Sequence, residues 1–502
     1  MTTKLRNVPL AVLLVAVGAL AMFPPAILAA ATGDVSTAED FFYSGAVFLT
    51  LFVLLAIATH GRHARRKALS HLLALVAAFT LLPLMLAVPF HIAVGNTRFL
   101  SSWFEMVSSL TTTGATLFLP DRLPDAVHLW RALVGWLGGF LMWVTAIAIL
   151  APLTLGGYEV VSGDRMGDSG SSARQITSVA GATERLARYS GDLAPIYGGL
   201  TLLLWMALLS AGEPPLNAIC HAMSTLSTSG ISPTGGPLSG RLAEAFIFVF
   251  LIFALSRATF TTDASVVHRR GLRQDPELRM GLALVTIVPL LLFLRHWIGA
   301  LDIDEQENLP AMARALWGGL FTTMSFLTTT GFQSQDWADV RAWSGLETPG
   351  LVLMGLALVG GGVATTAGGV KLLRIHALYM HGRREMEKLV HPHSIGGSGS
   401  LARRIRRRGA YIAWIFFMLF ALSITLSMAA LTLAGQSFEE SAILTIAALS
   451  TTGPLAAVAG EVPIRYGDLG DAARVILGLA MIVGRLETLA LIAIFNPDIW
   501  RN

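Results

Sequence analysis

SSLTTTGATL, running from Ser108 to Leu117, falls between two segments that are each long and apolar enough to cross a bilayer. Three successive threonines and a glycine are poor helix material. Irregular backbone at membrane depth survives only where protein shields it or where it lines a water-filled path. The stretch recurs as STLSTSGIS (Ser224 to Ser232), SFLTTTGFQ (Ser325 to Gln333) and ALSTTGPLA (Ala448 to Ala456), with glycines at Gly114, Gly230, Gly331 and Gly453. Each copy follows a short helical run such as TRFLSSWFEMVSSL or QSFEESAILTIAAL and precedes an apolar segment. The chain is therefore read as four copies of one unit: span, short helix, Ser/Thr-Gly segment, span.

Composition agrees with a membrane protein. Of 502 residues, 54% are hydrophobic and 14% charged, too apolar a balance for an ordinary soluble domain. The single cysteine, Cys220, excludes an internal disulfide and supplies no metal cluster. A span needs about 20 mostly apolar residues, and stretches near 8–31, 41–59, 69–94, 127–154, 193–211, 242–262, 280–299, 347–373, 410–434 and 472–495 meet that length. Basic residues gather in alternate connections: Lys4 and Arg6; Arg62, Arg65, Arg66 and Lys67; Arg165, Arg174, Arg185 and Arg188; Arg269, Arg270, Arg273 and Arg279; and most heavily between Arg374 and Arg408. The positive-inside rule then places both termini in the cytoplasm. The first segment also suits a cleaved signal peptide. A retained helix is expected, because an apolar run of about 24 residues exceeds a signal core of about 7 to 15.

The first two spans carry no Ser/Thr-Gly motif, and 1–66 is read as an added hairpin. The repeats follow as 67–160, 161–265, 266–395 and 396–502.

Glycine reaches positive φ without steric cost, so consecutive carbonyls can turn to one side of such a segment. Four segments around one axis would stack rings of carbonyl oxygens, which replace the hydration shell of a monovalent cation. The C-terminal dipole ends of the short helices would favour a cation there. A single Ser/Thr-Thr-Gly could simply be a helix C-cap. Four copies in one topological slot favour the filter.

These residues resemble the TrkH/KtrB/HKT superfamily of potassium transporters, and the added hairpin makes bacterial TrkH proteins the nearest likeness. The resemblance extends to HLWRALVGWLGGF (His128 to Phe140), GGGVATTAGGVKLLRI (Gly360 to Ile375) and MIVGRLETL (Met481 to Leu489). It implies an all-α polytopic fold around a pseudo-fourfold pore, potassium as the transported ion, a homodimer in a bacterial inner membrane, and a cytosolic TrkA-like ring of nucleotide-binding subunits. It also implies potassium-lining carbonyls from Thr112, Thr113 and Gly114; Thr228, Ser229 and Gly230; Thr329, Thr330 and Gly331; and Thr451, Thr452 and Gly453. Family members with serine at the first filter glycine tend to admit sodium, so Gly114 implies a potassium preference. Pro454 departs from the pattern by removing an N–H and restricting the residue before it, which predicts a distorted fourth segment. Each segment is shorter than the TVGYG filter of potassium channels, so weaker discrimination against sodium and rubidium is expected.

Two features below the filter are candidate gates. Gly360, Gly361, Gly362, Gly368 and Gly369 lie too densely for one helix-packing stripe and predict a break in the span. With Thr365, Thr366 and Lys371 they form the loop that the resemblance implies lies beneath the filter. Arg485, in the last span, costs at least about 2.5 to 3.5 kcal/mol at mid-membrane unless it faces protein or water. It reads as a gating charge or as a structural pair with Glu487 or a loop carbonyl. Lys371 is nearer the cytoplasm, where snorkelling also explains it.

Other polar residues carry less. Glu105, Glu439 and Glu440 would complement helix N-termini or attract cations. His221, His296, His376, His381, His391 and His393 lack ligand spacing and read as solvated or interfacial. The run Arg403 to Arg408 reads as a headgroup anchor or a docking site for a regulatory subunit. No GxGxxG follows a strand pattern, so a nucleotide would bind another chain. The rival readings are a sodium-permeable or ion-coupled carrier of the same fold, and a membrane-embedded enzyme acting on a lipid-linked substrate. An enzyme would need titratable groups gathered at one depth.

Overall fold

The structure, a computed structural model, describes residues 9–59, 67–150, 182–236, 238, 240–256, 275–299, 309–345, 350–391 and 407–486. Helices dominate, and no strand occurs among these residues. The hairpin comprises α1 (Leu10–Leu20), α2 (Phe23–Thr32) and α3 (Val35–Ala58). The break between α1 and α2 falls just before Pro24 and Pro25, where proline fits a first turn but not a helix interior. Gly33 closes α2 at φ 83°, and the Asp34 carboxylate then accepts from Thr37 N at 3.2 Å to start α3.

Each repeat supplies an entering span, a pore helix and an exit span. The first has α4 (Lys67–Val94), α5 (Phe99–Leu110) and α6 (Asp125–Thr145). The second has α7 (Ala182–Ser210), α8 (Pro215–Ser227) and α9 (Arg241–Leu251). The third has α10 (Pro276–Gly299), α11 (Leu309–Leu327), an extra short helix α12 (Trp337–Ser344) and α13 (Gly350–Val359), and after a break the chain resumes as α14 (Leu372–Val390). The fourth has α15 (Arg407–Leu433), α16 (Phe438–Leu449) and α17 (Asp471–Leu486). Ser437 and Glu440 form a capping box that starts α16.

Packing closes these units into a ring. Every pore helix lies between the two spans of its own repeat, and every exit span reaches the next pore helix: α6 on α8, α9 on α11, α13 on α16, and α17 back on α5. The polarity is inverted relative to a soluble protein. Leu54, Ile57, Leu203, Leu291 and Leu426 face outward, whereas the threonines and serines of the pore loops are buried. Water would penalise such a surface, and hydrocarbon does not.

Among the described residues, seven helices are long and apolar enough to cross a membrane. Two expected spans take other forms, and a third is described only in part. The 242–262 stretch is α-helical only to Leu251 and then 3-10 helical to Leu255. The 347–373 stretch is helical over Gly350–Val359 and broken from there to Lys371. The 472–495 stretch is described only as far as Leu486.

Candidate functional site

The pore helices end in one repeated hydrogen-bond pattern. Thr113 N donates to Ser108 O at 2.8 Å and Thr112 N to Ser109 O at 2.9 Å. The same two bonds recur as Ser229 to Ser224 and Thr228 to Thr225, as Thr330 to Ser325 and Thr329 to Phe326, and as Thr452 to Ala447 and Thr451 to Ala448. This is a Schellman cap, with the left-handed residue one place past the cap position. That residue is not the glycine. It is Thr112, Thr228, Thr329 or Thr451, with φ of 56°, 51°, 58° and 55°. The capping reading of the motif and the loop reading therefore describe the same residues: the threonine caps the helix, and the chain then turns toward its neighbours.

The four loops touch in cyclic order. A Cβ on Gly114 would fall 2.0 Å from Ser229 O, one on Gly230 2.0 Å from Thr330 O, and one on Gly331 3.0 Å from the Pro454 ring. Gly453 N donates to Thr113 O at 2.6 Å and closes the circle. All twelve residues from Thr112–Gly114, Thr228–Gly230, Thr329–Gly331 and Thr451–Gly453 are thus brought to one centre, with the C-terminal ends of four helices aimed at it. The helix dipoles make that centre favourable for a cation.

The fourth loop differs from the other three. Gly114, Gly230 and Gly331 have positive φ, whereas Gly453 does not and instead begins a 3-10 turn through Ala457. Proline at 454 keeps its predecessor from the conformation used elsewhere. The Tyr466 hydroxyl donates to Gly453 O at 2.9 Å. Burial pushes that phenol well above its usual range, so it remains a proton donor. Among the described residues, no hydrogen bond occupies the carbonyl oxygens of Gly114, Gly230 or Gly331. At the glycine level three oxygens thus have no protein donor among the described residues, and the fourth is held by Tyr466.

Buried polar groups brace the stretch of chain that follows each of the other loops. Glu105 is fully buried, pairs with Arg131 at 3.0 Å, and accepts from Leu117 N at 2.5 Å and from Thr116 Oγ1 at 2.9 Å. His221 lies between Glu213 Oε2 at 2.9 Å and Ser232 Oγ at 3.0 Å. Glu244 accepts from Gln335 N at 2.7 Å, Ser334 Oγ at 2.9 Å and Trp317 Nε1 at 2.8 Å. Such groups persist in an apolar interior because each is paired, Glu105 with Arg131 and His221 with Glu213, although Glu213 Oε1 has no hydrogen-bond partner among the described residues.

Three sequence expectations are corrected here. Glu105 is neither a helix-terminus acid nor a cation lure but an internal brace, because Arg131 on α6 faces it. His221 is 1% exposed, so it is not solvated or interfacial. Lys371 does not snorkel: it is 6% exposed and its ammonium donates to Ala367 O, turned inward by a backbone φ of 86°. Glu440 serves the capping box, and Glu439 is exposed in the first turn of α16. Glu487, His393 and Arg403 to Arg406 lie outside the described residues, as do the side chains of His296, Arg407 and Arg408. Sequence reasoning missed Glu213, Arg131, Glu244 and Tyr466. An acid inside the apolar 242–262 stretch was an available signal for Glu244, since an intramembrane carboxylate requires a partner.

The break between α13 and α14 lies directly against the loops. Thr366 Oγ1 donates to Leu226 O at 3.1 Å, Gly368 N donates to Thr329 Oγ1 at 2.7 Å, and a Cβ on Gly368 would fall 2.2 Å from Ser450 O. The segment 360–371 thus touches the second, third and fourth repeats. Arg485, 3% exposed, donates from Nη1 to Thr366 O at 2.7 Å, and Glu277 Oε1 accepts from Val363 N at 2.9 Å. Of the two structural partners read for Arg485, the loop carbonyl is present.

Comparison with known proteins gives a consistent picture. The family model for TrkH, described as a cation transport protein, matches residues 38–501. The Trk system potassium uptake protein TrkH of Vibrio parahaemolyticus is 31% identical, with 98% of this chain and 98% of that protein covered. Its namesake from Escherichia coli is 30% identical, with 90% and 92% covered. The crystal structure of the potassium transporter TrkH from Vibrio parahaemolyticus matches the fold with a TM-score of 0.79 at 27% identity, covering 100% of both chains.

Proposed function

Because this chain belongs to the TrkH family of cation transport proteins, we propose that it takes up potassium through the centre of its four-loop ring. The observation that carries this reading is the closed cycle of contacts from Gly114 to Ser229, Gly230 to Thr330, Gly331 to Pro454 and Gly453 to Thr113. Carbonyl oxygens held by a surrounding ring can replace the water that a monovalent cation sheds. Relatives at 30% and 31% identity are named as potassium uptake proteins, which supports potassium as the ion and transport rather than catalysis.

Residues 360–371 act as the gate in this reading, with Gly360, Gly361, Gly362, Thr365, Thr366, Gly368, Gly369 and Lys371 forming the loop and Arg485 its latch. The bond from Arg485 to Thr366 O and the bond from Gly368 N to Thr329 Oγ1 support it. The protein works as a homodimer in the bacterial inner membrane, with both termini cytoplasmic. A cytosolic TrkA-like nucleotide-binding ring controls it. The resemblance and the basic loops support these points.

A second reading, of a sodium-permeable member of the same fold, draws on one observation: Tyr466 engages Gly453 O, leaving the glycine level with fewer free oxygens than a symmetric ring. Flux of potassium and of sodium into liposomes separates the two. Wild-type protein should prefer potassium, and Gly114→Ser should raise sodium permeability relative to potassium, since a side chain at φ 75° and 2.0 Å from Ser229 O must push the first and second loops apart. An unchanged ratio would remove the first loop from the filter.

A further inference from the structure

A basic cleft of about 410 Å³ opens at the junction of the first and fourth repeats, where α4 ends and α5 and α17 begin. Arg98, Arg122 and Arg474 line it, against a single carboxylate, Asp471. Asp471 pairs with Arg98 at 2.7 Å and reaches Arg474 only at 3.5 Å. Arg122 donates to Asn96 O at 3.0 Å and its guanidinium lies 5.2 Å from the centre of the Phe118 ring. Arg474 donates to Gly467 O at 2.9 Å and to Ser101 Oγ at 3.4 Å, and its buried Nε has no partner. The cleft therefore carries positive charge in excess of its own acid. Beside a path for cations, such charge opposes function unless an anion neutralises it.

A second concavity of about 340 Å³ adjoins it, lined by Leu84, Phe99, Leu100, Trp103 and Val475. The two share the same turns of chain: Arg98 is followed by Phe99, and Arg474 by Val475. Leu84, Phe99 and Val475 are 42%, 41% and 37% exposed. A free phosphate would satisfy the arginines and leave the apolar groove bare. Hydrocarbon alone would do the reverse.

We propose that this junction binds an anionic glycerophospholipid, with its phosphate among Arg98, Arg122 and Arg474 and an acyl chain along Leu84, Phe99, Leu100, Trp103 and Val475. Guanidinium groups suit phosphate because their planar donors match its oxygens. The bound headgroup would sit over the loop segment that Glu105 braces and beside the turn that carries Tyr466.

The test uses full-length protein, purified in detergent and stripped of lipid, with phosphatidylglycerol, phosphatidylcholine and inorganic phosphate as probes. Native mass spectrometry and thermal midpoints are the readouts. Phosphatidylglycerol should be retained at roughly tenfold lower concentration than phosphatidylcholine, and the double variant Arg98→Gln/Arg122→Gln should erase that preference. Phe99→Ser should weaken retention of phosphatidylglycerol in protein that still melts cooperatively. Three results would overturn the proposal: a preference unchanged in the double variant; inorganic phosphate that reproduces the stabilisation or displaces the lipid; or rapid disulfide crosslinking of Phe99→Cys between two copies in lipid, which would make this face an interface between protomers.

Discussion

Thr112, Thr228, Thr329 and Thr451 hold a conformation that β-branched side chains avoid, and they are four of the seven non-glycine residues with positive φ among the described residues. A left-handed residue with a Cβ costs about 1–2 kcal/mol. Glycine would complete the same cap without that cost, so the hydroxyl must serve another purpose. At Thr329 it accepts from Gly368 N, and at Thr112 and Thr451 the Oγ1 atoms are buried without a protein partner. Thr112→Gly separates capping from conduction. The variant should unfold at a higher temperature, reflecting about 1 kcal/mol of relieved strain, while its potassium flux falls. A variant that is more stable and conducts normally would leave Thr112 only a capping role. The same scale shows why the fourth loop stands apart: Pro454 fixes the backbone before it, and Tyr466 then holds the Gly453 oxygen.

Among the elements, the segment 360–371 was the most legible in the sequence, because five glycines within ten residues of a span cannot stay helical at low cost. Its contacts were not legible, since Leu226, Thr329 and Ser450 come from three different repeats. One brace was hidden for the same reason: Glu244 and Ser334 lie in neighbouring repeats, and no local spacing encodes their bond. Arg485 drew attention as an intramembrane charge, but its partner, the Thr366 carbonyl, has no side-chain signature. In the gate proposed above these bonds hold the segment in place, and their removal should loosen it. Arg485→Ala and Thr366→Val should each raise basal potassium flux in liposomes, Arg485→Ala more, because it also removes a positive charge near the path. Thr366→Val loses only the bond to Leu226 O. If flux falls in both variants while the protein remains folded, the segment supports the loops rather than closing them.

At the scale of the whole molecule, the repeats were readable because the motif occurs four times, whereas the way they close was not, since closure depends on seams between units. Those seams use glycine where helices come too close for a side chain. Gly139 on α6 faces α8, where a Cβ would lie 2.7 Å from Ser227 Cβ and 2.9 Å from its Cα. Gly350 at the start of α13 would meet Val458 O at 2.1 Å, and Gly478 on α17 the Trp103 ring at 2.6 Å. A pore made by four loops in one cycle requires all its seams, so widening one should disable the centre even with three loops intact. Gly139→Leu should push α6 from α8, carry Ser227 and the adjoining Thr228 away from the axis, and abolish flux. Gly355→Leu is the matched control, because nothing lies within 4 Å of a Cβ there and the position is exposed. Both variants add the same apolar bulk, so hydrophobicity alone predicts equal behaviour. Seam geometry predicts that Gly139→Leu loses flux and thermal stability while Gly355→Leu keeps both, and equal flux from the two would mean that the loops hold their positions without the span packing that surrounds them.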